Sequence, residues 1–193
     1  MKILKNILVI TTFCFSALVM SYNVIAAHTS SALGNTFQDE KLGYSIDYPS
    51  DWAAEKPSDY AATFSGKTGT PAYYVTVSIQ NLASKAGRGK YWNVESVIGD
   101  FKNQLRSGSA DAVIFEETEF THQNGMKQLK GKQFKAEYTI KGQRVKQWLI
   151  VIPHSNLEIF YAWSYTAPAE IYDTFTPIAQ TMLDSWTINN EEQ

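Results

Sequence analysis

Three histidines, His28, His122 and His154, are the first candidates for metal chemistry. A zinc site draws ligands at close spacing, as in His-x-x-x-His or His-Glu-x-x-His. Each of these stands alone, with His122 and His154 near expected turns, so they read as surface histidines. Glu116, Glu117 and Glu119 would attract a hard cation but lack the spacing of a calcium loop. They read as a solvated strand face. Asp47, Asp51 and Asp59 would serve as an acid–base pair only if the fold brought two of them into a cleft. Asp47 points away from the apolar face of its strand, so solvated carboxylates are expected. No Gly-x-Ser-x-Gly elbow occurs, and a serine nucleophile needs an adjacent base. Ala86-Gly87-Arg88-Gly89-Lys90 has the look of a phosphate loop, but Ser84 and Tyr91 occupy positions that require Gly and Ser or Thr. It reads as a mobile surface loop. No catalytic, cofactor-binding or metal-ligating residue is predicted, and the expectation is a protein that is not an enzyme.

Binding chemistry has better support. Lys127, Lys130, Lys132, Lys135, Lys141, Arg144 and Lys146 share one stretch with a single acid, Glu137. Such a hairpin would present a basic face for docking to an acidic protein or an anionic lipid. The competing account is that lysines blunt an edge strand against aberrant pairing. Tyr73, Tyr74, Tyr91, Trp92 and Trp52 would suit a groove or an interface, although packing under helices explains most of them. The predicted partner contacts are the seven hairpin cations together with Arg88, Lys90, Tyr91 and Trp92 of the aromatic-flanked loop.

Composition frames these candidates. The 193 residues are 44% hydrophobic, 19% charged and 13% aromatic, which excludes whole-chain disorder. With 17 Lys+Arg against 19 Asp+Glu there is no global basic field, so nucleic acid is not an expected partner. Lys2 and Lys5, an apolar run from Ile7 to Met20, and Val24-Ile25-Ala26-Ala27 form the three-part pattern of a secretory signal peptide. The run is broken by Thr11, Thr12 and Ser16, and is too short to span a bilayer comfortably. Cleavage of residues 1–27 after Ala26 or Ala27 is expected, giving a periplasmic or secreted protein. The single cysteine, Cys14, lies in the removed segment, so no disulfide or thiolate site is expected.

The elements follow from periodicity. Residues 28–36 are small and polar and read as a flexible leader. A short strand at Phe37-Gln38, a turn over Asp39–Gly43 and a strand over Tyr44–Tyr48 make a hairpin, which the turn at Pro49–Trp52 ends. Strands are predicted at Ala61–Ser65 and Tyr73–Leu82. Asn93 caps a helix whose Val94, Val97, Ile98, Phe101 and Leu105 share one face, ending near Gly108. Four strands follow, Val113–Thr121, Met126–Ile140, Val145–Ile152 and Leu157–Tyr165, the last two apolar on both faces and therefore central. The second changes phase between Leu129 and Phe134, which a bulge near Gly131 would reconcile. Pro168 opens a closing helix with Ile171, Phe175, Ile178, Met182 and Leu183 inward, and Pro177 should kink or divide it. Trp186 and Ile188 then return toward the sheet. A single domain over 37–190 is expected, α+β, with a central, mostly antiparallel twisted sheet.

Two stretches carry a family resemblance. One is Gly43-Tyr44-Ser45-Ile46-Asp47-Tyr48-Pro49-Ser50-Asp51-Trp52, and the other runs from Phe160–Thr166 through the closing helix to Asp184-Ser185-Trp186-Thr187-Ile188. With the element order between them, the chain resembles the PsbP-like superfamily and the related DcrB-type envelope proteins. The resemblance implies an α/β/α sandwich with helices on both faces, and an accessory role rather than catalysis. It points to a non-enzymatic envelope protein that docks to a protein partner. The alternatives are a periplasmic small-molecule or cation carrier and a photosystem II-associated PsbP-type subunit.

Overall fold

The computed structural model describes residues 33–154 and 158–189. The expected signal segment with Cys14, the leader up to residue 32 including His28, and residue 190 lie outside them. Strands β1 (Leu33–Asp39) and β2 (Tyr44–Pro49) form the first hairpin. It is longer than the sequence indicates: Leu33, Asn35 and Thr36 pair with β2 although their small polar surroundings suggested a leader. A turn at Ser50–Asp51 leads into β3 (Trp52–Ser58) and β4 (Ala61–Gly66). Pro71–Tyr74 is a 3-10 turn, so β5 (Thr76–Ala83) starts three residues later than alternation predicts. Helix α1 (Val94–Gly108) follows, then β6 (Val113–Asn124), β7 (Lys127–Ile140), β8 (Gln143–Pro153), β9 (Ile159–Pro168), α2 (Ala169–Ser185) and β10 (Thr187–Ile188).

Seven strands make one sheet in the order β3-β4-β5-β9-β8-β7-β6, with every neighbouring pair antiparallel. A second sheet, β1-β2-β10, joins the two ends of the described chain. The apolar strands β8 and β9 are central, as their two-faced hydrophobicity requires. Trp148, Ile150 and Ile152 of β8 pack with Trp163, Tyr165 and the α2 residues Tyr172, Phe175 and Met182. Leu149 and Val151 point the other way, toward Val97 and Ile98 of α1. The fold is therefore α+β with a helix on each face, and the small sheet shares the α2 face through Tyr44 and Ile46.

Capping sets where α1 begins. The Asn93 side chain accepts a hydrogen bond from Ser96 N at 2.9 Å, and Asn93 N donates to Ser96 Oγ at 3.1 Å. The other helix runs through Pro177 without dividing. Pro177 and Asp173, whose carbonyl loses its helical donor, are both on the exposed face, so the lost bond creates no buried defect.

The phase change in β7 also has a different origin from the predicted bulge. Leu129 packs in the α2-side core and Phe134, Ala136 and Tyr138 in the α1-side core, so the strand keeps its alternation and is covered on different faces at its two ends. The irregularity is on β6, between Phe115 and Thr118, where Glu116 adopts φ 51°. Gly131 is needed for close approach instead: a Cβ there would overlap the Val151 carbonyl oxygen of β8.

Candidate functional site

The structure separates the eleven predicted contact residues. Side chains on β7 alternate, and so do their partners. Lys132 faces α1, where its Nζ lies 3.2 Å from Glu95 and 3.4 Å from Glu119. Lys135 faces the α2 side, 2.6 Å from Glu116 and over the Trp148 ring at 5.9 Å. Arg144 pairs with Glu137, and Lys146 lies 3.5 Å from Asp173 and over the Tyr172 ring. Lys141 occupies the β7–β8 turn with φ 50°, at the end of the sheet away from Lys127. The hairpin therefore has no single basic face. Glu116 and Glu119, with Glu117 bound to Lys102 at 2.8 Å, neutralise it and α1.

Nor do these lysines protect an edge. β7 lies between β6 and β8, and the outer strand is β6, which carries the three glutamates and the bulge. Bulges and charged side chains are both ways of keeping an edge from pairing with another chain.

The loop between β5 and α1 is organised differently. Ser84 N donates to Glu158 O at 2.9 Å, Lys85 N to Tyr91 O at 2.7 Å, Arg88 N to Lys85 O at 3.1 Å, and Gly89 N to Ser84 O at 2.6 Å. The predicted mobile loop is thus a braced one. Gly89 is obligatory, because a Cβ would overlap the Ala83 carbonyl oxygen. Arg88 is held at φ 63°, in the left-handed region, at the tip.

Asp100 of α1 ties this loop to the body. It accepts from Lys90 Nζ at 2.8 Å, Tyr91 OH at 2.7 Å and Gln104 Nε2 at 2.7 Å. Burial alone would raise its pKa, but the bonds from Lys90, Tyr91 and Gln104 outweigh that and keep it below the usual carboxylate value. Burial and the Asp100 contact push the Tyr91 hydroxyl up to about 12. Tyr91 is thereby an anchor, 7% exposed, whereas its neighbour Trp92 is 76% exposed, with Lys85 Nζ 5.5 Å from its ring centroid.

Strand direction places the rest. The ends of β3, β5, β6 and β8 and the starts of β4, β7 and β9 lie along one rim of the sheet. Tyr60 in the β3–β4 turn is 69% exposed and its carbonyl accepts from Asn81 N of β5, beside the loop. Met126 in the β6–β7 turn is fully exposed. Lys85, Arg88, Lys127 and Lys130 are exposed on the same rim, and Lys127 and Lys130 have no ion pair among the described residues. The site that emerges is this rim: Arg88, Lys90, Tyr91, Trp92, Lys127 and Lys130 of the predicted set, joined by Tyr60, Lys85 and Met126. Lys85 begins the aromatic-flanked loop that the sequence already offers as a contact, whereas Tyr60 and Met126 are missed because single exposed residues on separate turns carry no periodic signal.

The two histidines are corrected from surface to buried. His122, on β6, is 4% exposed, stacks on Trp186 at 4.9 Å, and bonds the Trp186 carbonyl at 2.8 Å through Nε2. His154 is 7% exposed and its Nε2 meets Asn189 O at 3.2 Å. Desolvation lowers both pKa values. Both close the C-terminal segment onto the sheet, and no cluster of three metal-ligating side chains occurs among the described residues. The carboxylates stay apart: Asp47 on β2 accepts from Thr36, while Asp51 and Asp59 flank opposite ends of β3, roughly 26 Å apart at strand rise. At the rim opposite the loop, Asp111, Val113, Phe115, Glu137, Tyr138 and Arg144 line a hollow of about 160 Å³. That is below the several hundred Å³ (about 300–1,000) of typical small-molecule sites.

Solved structures share this fold. Cyanobacterial PsbP (CyanoP) from Synechocystis sp. PCC 6803 superposes with a TM-score of 0.52 at 11% identity, over 84% of this chain and 97% of that one. The fold is that of the PsbP-like proteins. The Ran-binding protein Mog1p of Saccharomyces cerevisiae has a TM-score of 0.50 at 10% identity, over 80% of this chain and 94% of its own. A crystal structure from Bacteroides thetaiotaomicron VPI-5482 has a TM-score of 0.52 at 13% identity; 83% of this chain is covered, but only 50% of that chain. At these identities the likeness concerns the fold alone. No protein-family model matches the chain, and no curated protein does.

Proposed function

We propose that the protein is an exported, non-enzymatic accessory protein of the cell envelope that docks to an acidic component there through its loop-bearing rim. The observation that carries this reading is the braced loop Ser84–Trp92. A bonded scaffold holds Trp92 out at 76% exposure between exposed cations, on a chain whose net charge is −2. Rigid aromatic side chains flanked by positive charge lose little entropy on binding and steer toward negative surfaces. Export is supported by the three-part signal-peptide pattern of residues 1–27. The PsbP-like fold accommodates a binding role without a catalytic centre, and Mog1p is itself described as Ran-binding.

The test is crosslinking of the tagged protein in its own cell envelope, followed by mass spectrometry. The double variant Lys85→Glu/Arg88→Glu is compared with Lys141→Glu at the opposite rim. Recovery of one envelope component that the double variant loses and Lys141→Glu keeps is the expected result. Recovery unaffected by both variants would remove the rim from the account.

A further inference from the structure

We propose that the docked component is the surface of an anionic lipid bilayer, gripped by Trp92, Tyr60 and Met126 as shallow apolar tips with Lys85, Arg88 and Lys127 beside them. This rests on the docking reading and names its partner. Three features of the rim lead to it. First, the apolar tips are isolated and projecting. Tyr60, Trp92 and Met126 sit on three different turns of one rim, 69%, 76% and fully exposed. Protein interfaces concentrate their binding energy in packed central pockets, whereas the interfacial layer of a bilayer accepts separate side chains a few Å deep.

Second, the Met126 turn projects past the strand end beside it. β7 begins five residues before Lys132, while β8 ends only two residues after Val151, the partner of Lys132. The Met126 turn therefore extends three residues, roughly 10 Å, past the end of β8. By register Tyr60 stands five residues, roughly 17 Å, short of Met126, so a flat partner meets this rim at a slant, with Tyr60 and Trp92 toward one corner and Met126 at the other.

Third, the residue chemistry is that of the interfacial layer. Trp and Tyr favour the boundary between headgroups and acyl chains, because their rings are amphipathic. Lys and Arg beside them face anionic headgroups, while their aliphatic stems extend along the apolar side chains. On this rim the exposed cations Lys85, Arg88, Lys127 and Lys130 outnumber the exposed acids Asp59 and Glu158, and the nearby Asp100 is already bonded by Lys90 and Tyr91. No helix among the described residues is long and apolar enough to cross a membrane, and the contact proposed for this rim is with a surface.

The protein carries its own reporter. Of five tryptophans, Trp52, Trp148, Trp163 and Trp186 are 8% exposed or less, and Trp92 alone faces solvent. The experiment uses the exported protein recovered from its own cells, mixed with vesicles of phosphatidylcholine containing or lacking phosphatidylglycerol. It reads iodide quenching and emission maximum alongside co-flotation. The expected result is a blue shift and loss of the quenchable fraction on anionic vesicles only. Both should be absent in Trp92→Phe, which still floats more weakly. Lys85→Glu/Arg88→Glu should lower partitioning by about tenfold, and so should raised salt. No shift on anionic vesicles, or equal binding to neutral ones, would overturn the lipid assignment. If the envelope crosslink to a protein nevertheless survives and still depends on Lys85 and Arg88, the docking reading stands with a protein partner; if both fail, the rim has no docking role.

Discussion

Two basic regions of this protein have similar composition and opposite fates. In the β7–β8 hairpin the cations Lys132, Lys135, Arg144 and Lys146 each meet a carboxylate from a neighbouring strand or helix. In the Ser84–Trp92 loop a single carboxylate, Asp100, braces the base through Lys90 and Tyr91 while Lys85, Arg88 and Trp92 stand outward. The lesson is that charge density along a sequence does not measure charge offered to a partner. Strand alternation divides a run of lysines between two faces and delivers each to whatever the next strand carries. A short loop pinned at its ends keeps its cations together.

The largest effect should come not from these paired cations but from the end of β6, beside the β6–β7 turn. Asn124 is 6% exposed, donates to Ile188 O at 2.8 Å and accepts from Ile188 N at 2.9 Å, fixing β10. Asn124→Ala leaves both backbone groups buried without partners, at about 1–3 kcal/mol each. Chemical denaturation should show that loss, with docking through Trp92 unchanged when the variant is folded.

Acid should weaken the same clamp. The folded-state pKa values of His122 and His154 lie below the ordinary 6.5, chiefly through desolvation, with the carbonyls of Trp186 and Asn189 and the charge of Asp184 opposing it in part. The unfolded chain therefore takes up protons first. Stability is complete above 6.5 and declines as the pH falls from there through the folded values. Thermal melts between pH 7.5 and 5 should show the decline, and His122→Gln should flatten part of it. A melting temperature independent of pH over this range would mean the two rings are not held neutral by burial.

Breaking a hairpin ion pair should matter less. Glu116→Gln removes the partner of Lys135 at an exposed position, and such pairs contribute about 0–1 kcal/mol. Neither the denaturation midpoint nor envelope capture should move much. A large loss of capture would return the hairpin to the docking surface. Smallest of all is Trp92→Ala, which at 76% exposure should change stability by no more than about 0.5 kcal/mol while weakening docking.

Those contrasts were only partly legible in the sequence. α1 was readable because its cap and apolar stripe are local, and β8 and β9 because two-faced hydrophobicity has one explanation, a central position. β3 was missed: after Trp52 it is largely exposed, and Lys56-Pro57 interrupts any alternation. His122 and Asn124 find their partners 64 residues away, so no spacing rule reports their burial. Glu116 and Glu119 read as a solvated acidic face until the register brought them beside Lys135 and Lys132. The loop was found, but as a mobile one, because its bonds to Glu158 and Asp100 depend on the tertiary fold.

The most direct measurement places a photoreactive amino acid at position 92 in one form of the protein and at position 144 in another, and illuminates each in the intact envelope. The account predicts abundant adducts with an envelope component from position 92 and none above background from position 144. Adducts from position 144 alone, or equal yields from both, would contradict the assignment of docking to the loop-bearing rim.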